Sequence, residues 1–141
     1  MRAVFDTNVL VSAVISRGGP PGSIVGAWRK RDFLLVTSDA LIQEMEIVLL
    51  RPHILERLDR TESERSTFIA DLRENSIIVE PNERLEVIED DPADNKVLEA
   101  AVAGRVDFIV SGDAYLLALG AYGDIQILTQ TRFAAILTTP H

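Results

Sequence analysis

The chain has 141 residues, a length that predicts a single domain over residues 1–141. Hydrophobic residues make up 47% and charged residues 26%, values typical of a globular protein. There is no cysteine, which excludes disulfides, thiolate zinc sites and a cysteine nucleophile. Because His141 is the last residue, a serine–histidine–aspartate triad would depend on His53 alone. We therefore expect acid–base chemistry to come from Asp and Glu.

The net charge is −8, from 22 acidic and 14 basic residues. This charge argues against indiscriminate polyanion binding but leaves room for a small nucleic-acid site with a basic rim. No apolar run approaches the roughly 18 residues of a membrane span. The N-terminus runs directly into a strand-like stretch, so no signal peptide is expected. These features predict a cytoplasmic protein with no membrane partner.

The first half of the chain alternates short apolar runs with helical patterns. In chain order we predict a strand at residues 3–5, a helix at 9–15, a helix at 24–31, a strand at 33–37, a helix at 40–50 and a helical turn at 54–58. The glycines and prolines from Gly18 to Gly22 are expected to separate the first two helices. Ser38 supplies N-cap chemistry for the third helix.

The second half continues the same alternation. We predict a helix that follows a capping box at Thr61 to Glu64, a strand at 76–79, a helix at 93–103, a strand at 107–111, a short helix at 115–119, a strand at 125–129 and a last helical turn at 132–137. Asp91 fits the N-cap of the helix at 93–103, with Pro92 in its first turn. Gly104 is expected just past the end of that helix.

The predicted strands are short and mostly apolar without alternation, and helices separate them. This pattern is typical of a parallel sheet that is covered on both faces. We therefore predict an α/β fold, a three-layer α/β/α sandwich with a central, mostly parallel five-stranded sheet. By analogy with such folds, the strand order is taken as 3-2-1-4-5.

Acidic side chains fall where such sheets bind ligands, beyond the carboxyl ends of the strands. Asp6 follows the first predicted strand and Asp113 the fourth, so they emerge side by side if these strands are neighbours. Glu44 has only apolar residues three and four positions away, which places it on the helix face expected to be buried. Asp94 is followed at the same spacing by two apolar residues. Acids on apolar faces are costly unless they are paired or bind a metal.

Each acid also has a purely structural interpretation. Asp6 fits a helix N-cap, Asp94 fits the first turn of a helix, Glu44 fits a rim position that reaches water, and Asp113 fits a turn. Two carboxylates about 5 Å apart repel by roughly 3 kcal/mol at an effective dielectric near 20. If all four converge, the cluster stays ionised only around a multivalent cation. Oxygen ligands without cysteine select Mg²⁺ or Mn²⁺ rather than Zn²⁺.

Four segments occur in the order found in a known family. They are residues 5–10 with Asp6-Thr7-Asn8, residues 38–49 with Glu44, residues 91–100 with Asp91-Pro92-Ala93-Asp94-Asn95, and residues 109–113 with Ser111-Gly112-Asp113. Together with Ile127, Leu128, Thr129 and Phe133 near the C-terminus, they resemble the PIN domain family of metal-dependent ribonucleases. That family includes many toxin components of bacterial toxin–antitoxin pairs.

The resemblance implies that Asp6, Glu44, Asp94 and Asp113 form a catalytic acidic quartet. Asp6, Asp94 and Asp113 would hold one or two Mg²⁺ or Mn²⁺ ions, and Glu44 would hold the attacking water and help deprotonate it. Thr7, Asn8 and Ser111 would support these acids. The chain departs from many relatives at Ala93 and near Tyr115, where they often carry a further acid.

The function implied is an endoribonuclease that hydrolyses RNA phosphodiester bonds, as the toxin component of a toxin–antitoxin pair. A cognate antitoxin and a homodimer would be its protein partners. Arg17, Arg51 and Arg57 are candidate RNA contacts, and the alternative for each is a solvated charged face.

Three other classes were compared with the sequence. A phosphoacceptor receiver domain needs an aspartate after its third strand and a lysine after its fifth, and both are absent. A phosphatase with an Asp-x-Asp-x-Thr nucleophile fails because Asn8 replaces the second aspartate. A non-catalytic PIN-like module that binds another protein remains as the alternative function.

Overall fold

One mixed sheet organises the protein in a computed structural model that describes residues 1–16, 18–58 and 61–138. Its strands are β1 (Arg2–Phe5), β2 (Leu34–Thr37), β3 (Ile77–Ile78), β4 (Phe108–Val110), β5 (Ala121–Tyr122) and β6 (Ile125–Leu128). The helices within these residues are α1 (Thr7–Ile15), α2 (Gly19–Arg29), α3 (Asp39–Leu49), α4 (Pro52–Leu55), α5 (Glu62–Asn75), α6 (Asp94–Gly104), α7 (Ala114–Leu119) and α8 (Gln130–Thr138). No helix in the described ranges combines the length and the apolar character needed to cross a membrane.

The strand order is β3-β2-β1-β4-β6-β5, and every neighbouring pair is parallel except β5 with β6. The predicted order is confirmed for the five predicted strands. The predicted number of strands is wrong, because β5 adds a sixth strand at one edge. This strand has only two residues and pairs with β6 across a tight turn that contains Gly123 at φ 59°. Its residues Ala121 and Tyr122 form no β-branched run, whereas the equally short β3 lies in the run Ile77-Ile78-Val79, which sequence analysis detects.

Helices cover both faces of the sheet, which confirms the three-layer prediction. On one face α6 packs across β1, β2 and β4. On the other face, the ring of Phe133 from α8 lies 5.0 to 6.1 Å from the rings of Phe5, Phe33 and Phe108. Phe133 has no exposed surface, so α8 closes the core over this face.

Gly104 brings α6 close to the sheet. The prediction that Gly104 lies just past the end of this helix is wrong. It is the last residue of α6, and a Cβ atom there would lie 2.4 Å from Cγ1 of Val36 on β2. The left-handed residue after the helix is Arg105, at φ 50°. A close helix–sheet contact therefore accounts for this glycine better than a turn.

The second helix begins earlier than the sequence predicts. α2 starts at Gly19 instead of residue 24 and carries prolines in its first turn. Helix formation does not use the backbone N–H groups of the first turn, so proline is tolerated there. The segment from Gly18 to Gly22 is therefore mostly helical and not a break in the chain.

Candidate active site

The sheet order brings Asp6 and Asp113 to the same edge. β1 and β4 are parallel neighbours, and Phe5 lies opposite Val110. The backbone N–H of Asp6 continues this ladder by donating to the carbonyl of Val110 at 3.1 Å. The chain therefore leaves both strands at one point, although more than a hundred residues separate them in sequence.

Asp6 acts as a helix cap and also lines the acidic cleft. Its Oδ1 accepts a hydrogen bond from the backbone N–H of Val9 at 2.8 Å, and so starts α1. Its Oδ2 accepts a hydrogen bond from the hydroxyl of Ser111. The side chain is 4% exposed. Burial raises the pKa of Asp6, while the hydrogen bonds from Ser111 and Val9 oppose this rise.

Ser111 connects two of the acids from behind the site. Its hydroxyl donates to Asp6, and its Oγ accepts the backbone N–H of Asp113 at 2.9 Å. Oδ1 of Asp113 in turn accepts the backbone N–H groups of Tyr115 at 2.8 Å and Leu116 at 3.1 Å, which starts α7. One completely buried hydroxyl thus fixes the position of Asp113 relative to Asp6.

Asp94 is a buried acid that lies close to other carboxylates. It lies in the first turn of α6 and is 7% exposed. Within the described part of the chain, its buried Oδ2 has no hydrogen-bond partner. Burial, then a hydrogen bond with Asp113, and then the negative charges of Asp113, Asp91 and Asp6 raise the pKa of Asp94 to about 8. A cation at this position would favour the ionised carboxylate and so oppose that shift.

Asp91 joins the cluster, which the sequence did not predict. One carboxylate oxygen from each of Asp91, Asp94 and Asp113 lies within 4.8 Å of the other two. The prediction that Asp91 is the N-cap of α6 is wrong, because Ala93 occupies that position. Instead, Oδ1 of Asp91 accepts the backbone N–H of Ala93 at 3.2 Å. Its place three residues before Asp94 was the available sequence signal.

The acids share a cleft of about 120 Å³. The residues that line it are Asp6, Thr7, Asn8, Glu44, Val48, Arg51, Asp91, Ala93, Asp94, Val97 and Asp113. All four members of the predicted quartet are therefore in one place. Glu44 is half-buried, between the buried Val48 and Ile47, which is 63% exposed. It lies at the border of the buried face of α3, and not well inside it as its neighbours in sequence suggested.

Some of the predicted supporting and basic residues line the acidic cleft, and others do not. Thr7, which is buried, and Asn8, which is exposed, both line the cleft. Arg51 also lines it, at the start of α4. Arg57 is exposed and is not among the lining residues, and Arg17 lies outside the described residues.

Asn95 is a buried polar residue whose role sequence analysis missed. Its side-chain oxygen accepts the backbone N–H groups of Val87 at 3.0 Å and Ile88 at 2.9 Å. Its amide group donates to the carbonyl of Ile88 at 2.8 Å. Glu99, one turn further along α6, accepts the backbone N–H of Leu85 at 2.8 Å. The segment that leads into Asp91 is therefore attached to α6.

A second cleft, of about 450 Å³, lies near the beginning of β2 and away from these acids. Trp28, Phe33 and Asn75 line it together with Arg29 and Asp71, which approach each other at 4.0 Å. Its charged groups have both signs, and no cluster of metal-ligating side chains lies there among the described residues. The smaller acidic cleft is therefore the candidate functional site.

Comparison with known proteins assigns the fold. The model of the PIN domain family matches residues 2–114, so the chain belongs to the PIN domain family. The uncharacterized protein MJ1680 of Methanocaldococcus jannaschii is 29% identical over 119 residues, which cover 84% of this chain and 75% of that protein. The PIN domain is a nuclease-type fold, and the carboxylate donors in the cleft fit a hard divalent cation.

Proposed function

We propose that this protein is a Mg²⁺- or Mn²⁺-dependent endoribonuclease that hydrolyses RNA phosphodiester bonds. The observation that carries the proposal is the buried Oδ2 of Asp94, which has no hydrogen-bond partner among the described residues and lies in a cleft that contains all four acids of the quartet. An unpartnered buried carboxylate oxygen is destabilising, and a divalent cation satisfies it directly. Membership in the PIN domain family supports the same reaction class.

Each side chain has a defined part in this reaction. Asp6, Asp94 and Asp113 would hold the cation, and the Ser111 hydroxyl orients Asp6. When bound, Mg²⁺ or Mn²⁺ supplies Lewis acidity that stabilises the negative charge developing on the phosphate. Glu44 holds the attacking water and accepts its proton. Arg51, at the rim of the same cleft, contacts a phosphate oxygen of the RNA.

We also propose a biological role, protein partners and a cellular location. The family resemblance supports a toxin component with a cognate antitoxin, a homodimeric assembly and a place in the cytoplasm. The negative charge of the protein also fits a small, cation-dependent RNA site better than a broad basic surface.

Cleavage of a labelled RNA panel with Mg²⁺ or Mn²⁺ tests the reaction. We expect Glu44→Gln to lower the cleavage rate by about 100-fold or more, since a general base typically contributes about 10²–10⁴-fold. Asp113→Asn should also lose activity while it keeps the fold, because the Asn oxygen can still accept the N–H groups of Tyr115 and Leu116. Asp124→Asn, an exposed acid in the turn before β6, is the matched control and should cleave normally.

Two results would contradict the proposal. Wild-type rates in both Glu44→Gln and Asp113→Asn would indicate a contaminating nuclease or a different site. A wild-type protein that binds Mn²⁺ yet cleaves no RNA in the panel would favour the non-catalytic interaction module instead.

A further inference from the structure

Tyr115 is an exposed aromatic residue directly beside the candidate active site. Its backbone N–H donates to Oδ1 of Asp113 at 2.8 Å, so the backbone of Tyr115 is fixed next to one of the acids that line the cleft. The length of a single side chain limits how far the ring can lie from that acid. The ring is therefore close enough to reach a nucleotide next to the one whose phosphate binds at the acids.

The ring of Tyr115 is available to a ligand. Its side chain is 48% exposed, whereas the next residue, Leu116, has no exposed surface. Among the described residues the ring takes part in no aromatic pair and the hydroxyl in no hydrogen bond. Packing against the core therefore accounts for Leu116 but not for Tyr115.

The cleft beside Tyr115 offers RNA little electrostatic attraction. Among the described residues that line it, Arg51 is the one cation, and it shares the cleft with five acids, which are Asp6, Glu44, Asp91, Asp94 and Asp113. Affinity for nucleic acid that comes from charge requires cations that neutralise several phosphates. An uncharged contact is therefore needed, and stacking of one base on an aromatic ring contributes roughly 5- to 150-fold in affinity.

We propose that the ring of Tyr115 binds RNA by stacking on the base of a nucleotide beside the scissile phosphate. This inference rests on the proposed function for the presence of RNA, and it adds a base-binding residue to the acids and Arg51. Tyr115 is not among the residues that line the cleft, which fits a contact to a flanking base and leaves the cleft itself for the phosphate. The stacked base then fixes which phosphate of the strand lies at the acids.

Cleavage kinetics with variants that delete or keep the ring test the inference. The substrate is the RNA of the labelled panel that wild type cleaves fastest, and circular dichroism checks the folding of each variant. Tyr115→Leu keeps the backbone N–H that binds Asp113, so we expect it to raise KM by about tenfold with much less effect on kcat. Tyr115→Phe keeps the ring and should restore the lower KM. Leu119→Ala, which changes an exposed apolar residue of the same helix, is the matched control and should leave KM unchanged.

RNA that lacks a single base tests the contact itself. The Glu44→Gln variant is used so that the RNA stays intact, and affinity is followed by fluorescence anisotropy of the same RNA labelled with fluorescein. Replacing the nucleotides beside the cleavage site one at a time by an abasic nucleotide should lower affinity by about tenfold at one position. When Glu44→Gln is combined with Tyr115→Leu, that replacement should have no further effect, because the ring that binds the base is already missing.

The outcomes separate this inference from the proposed function. If Tyr115→Leu has the wild-type KM, or if Tyr115→Phe is as poor as Tyr115→Leu, the ring does not bind a base, and the nuclease proposal stands without it. A fall in kcat alone would mean that the substitution acts through the position of Asp113, and equal abasic losses with and without the ring would place the base elsewhere. Both results overturn the inference. If wild type cleaves no RNA of the panel, both proposals fail together.

Discussion

The side chain of Asp6 shows how a structural and a chemical interpretation of one residue hold together. A carboxylate that follows a strand and precedes a helix can cap the helix with one oxygen and leave the other free for the cleft. In this protein the other oxygen accepts the hydroxyl of Ser111, which also receives the backbone N–H of Asp113. Local capping and long-range organisation of the site therefore depend on the same side chain.

Removing the Ser111 hydroxyl should destabilise the fold. Ser111→Ala removes the hydrogen bond to Oδ2 of the buried Asp6 and the acceptor of the Asp113 N–H, so we expect the free energy of unfolding to fall by about 1–3 kcal/mol. Urea denaturation followed by circular dichroism measures this change. Ser12→Ala, which removes an exposed hydroxyl bonded to the Asn8 carbonyl, is the control and should stay within about 0.5 kcal/mol of wild type. Equal effects of the two substitutions would contradict the bridging role.

Helix α6 is the element that joins the core to the site. Its first turn carries Asp94, its Asn95 holds the preceding segment, and its last residue, Gly104, lies against Val36. The helix can approach β2 this closely only because Gly104 has no side chain. The position of the acids therefore depends on packing at the opposite end of the same helix.

Substitution of Gly104 should destabilise the protein through this contact. A Cβ atom at Gly104→Ala would lie 2.4 Å from Cγ1 of Val36, so α6 or β2 must shift, and overpacking typically costs about 1–3 kcal/mol. The matched control is Gly26→Ala in α2, where the added carbon meets no described atom within 4 Å apart from its chain neighbours and the nearby backbone of its own helix. Alanine is the better helix former, and Gly26→Ala should stabilise the protein by about 0.5–1 kcal/mol. Thermal melting of both variants tests the pair, and a stabilised Gly104→Ala would contradict the packing argument.

The pH dependence of stability is a property of the whole molecule, because it depends on how many protons the folded and the unfolded chain each bind. The pKa of Asp94 is about 8 in the folded protein, and its ordinary value is 3.8. Between these values the folded protein keeps a proton that the unfolded chain has lost, so rising pH favours unfolding. The stabilisation is complete below pH 3.8 and is lost as pH rises toward about 8. Burial raises the pKa of Asp6 as well, which acts in the same direction.

Denaturation of the metal-free protein in EDTA across this pH window measures the effect. Asp94→Asn should flatten the decline, since it removes the titrating carboxyl, whereas the exposed control Asp124→Asn should leave it unchanged. Mg²⁺ or Mn²⁺ should raise the melting temperature most at the alkaline end, where the carboxylates of the cleft are ionised and bind cations without releasing protons. A melting temperature that rises with pH in EDTA, or does not respond to cations, would contradict this account.

Sequence analysis predicts the elements whose signals are local. Hydrophobic periodicity, capping residues and turn-forming residues each depend on a few neighbouring positions. The capping box from Thr61 to Glu64 and the five strands of the parallel part of the sheet could therefore be predicted. The identities of the four quartet acids also came from sequence, through their positions after strands and on apolar helix faces and through the family resemblance. The two-residue strand β5 and the early start of α2 were missed, because their local signals are weak or point to a turn.

Contacts between groups that are distant in sequence depend on the packing of the whole fold. The Ser111 hydroxyl reaches Asp6 because β1 and β4 are neighbours in the sheet, and no local pattern encodes a contact across 105 positions. Asp91 has the sequence features of a helix cap, and it enters the acidic cluster because α6 begins at Asp94, beside Asp113. The sequence around Gly104 suggests a helix terminator, whereas in the structure this glycine allows α6 to pack against Val36. Backbone preferences act over one or two turns of chain, whereas the distances between these side chains follow from how the layers pack.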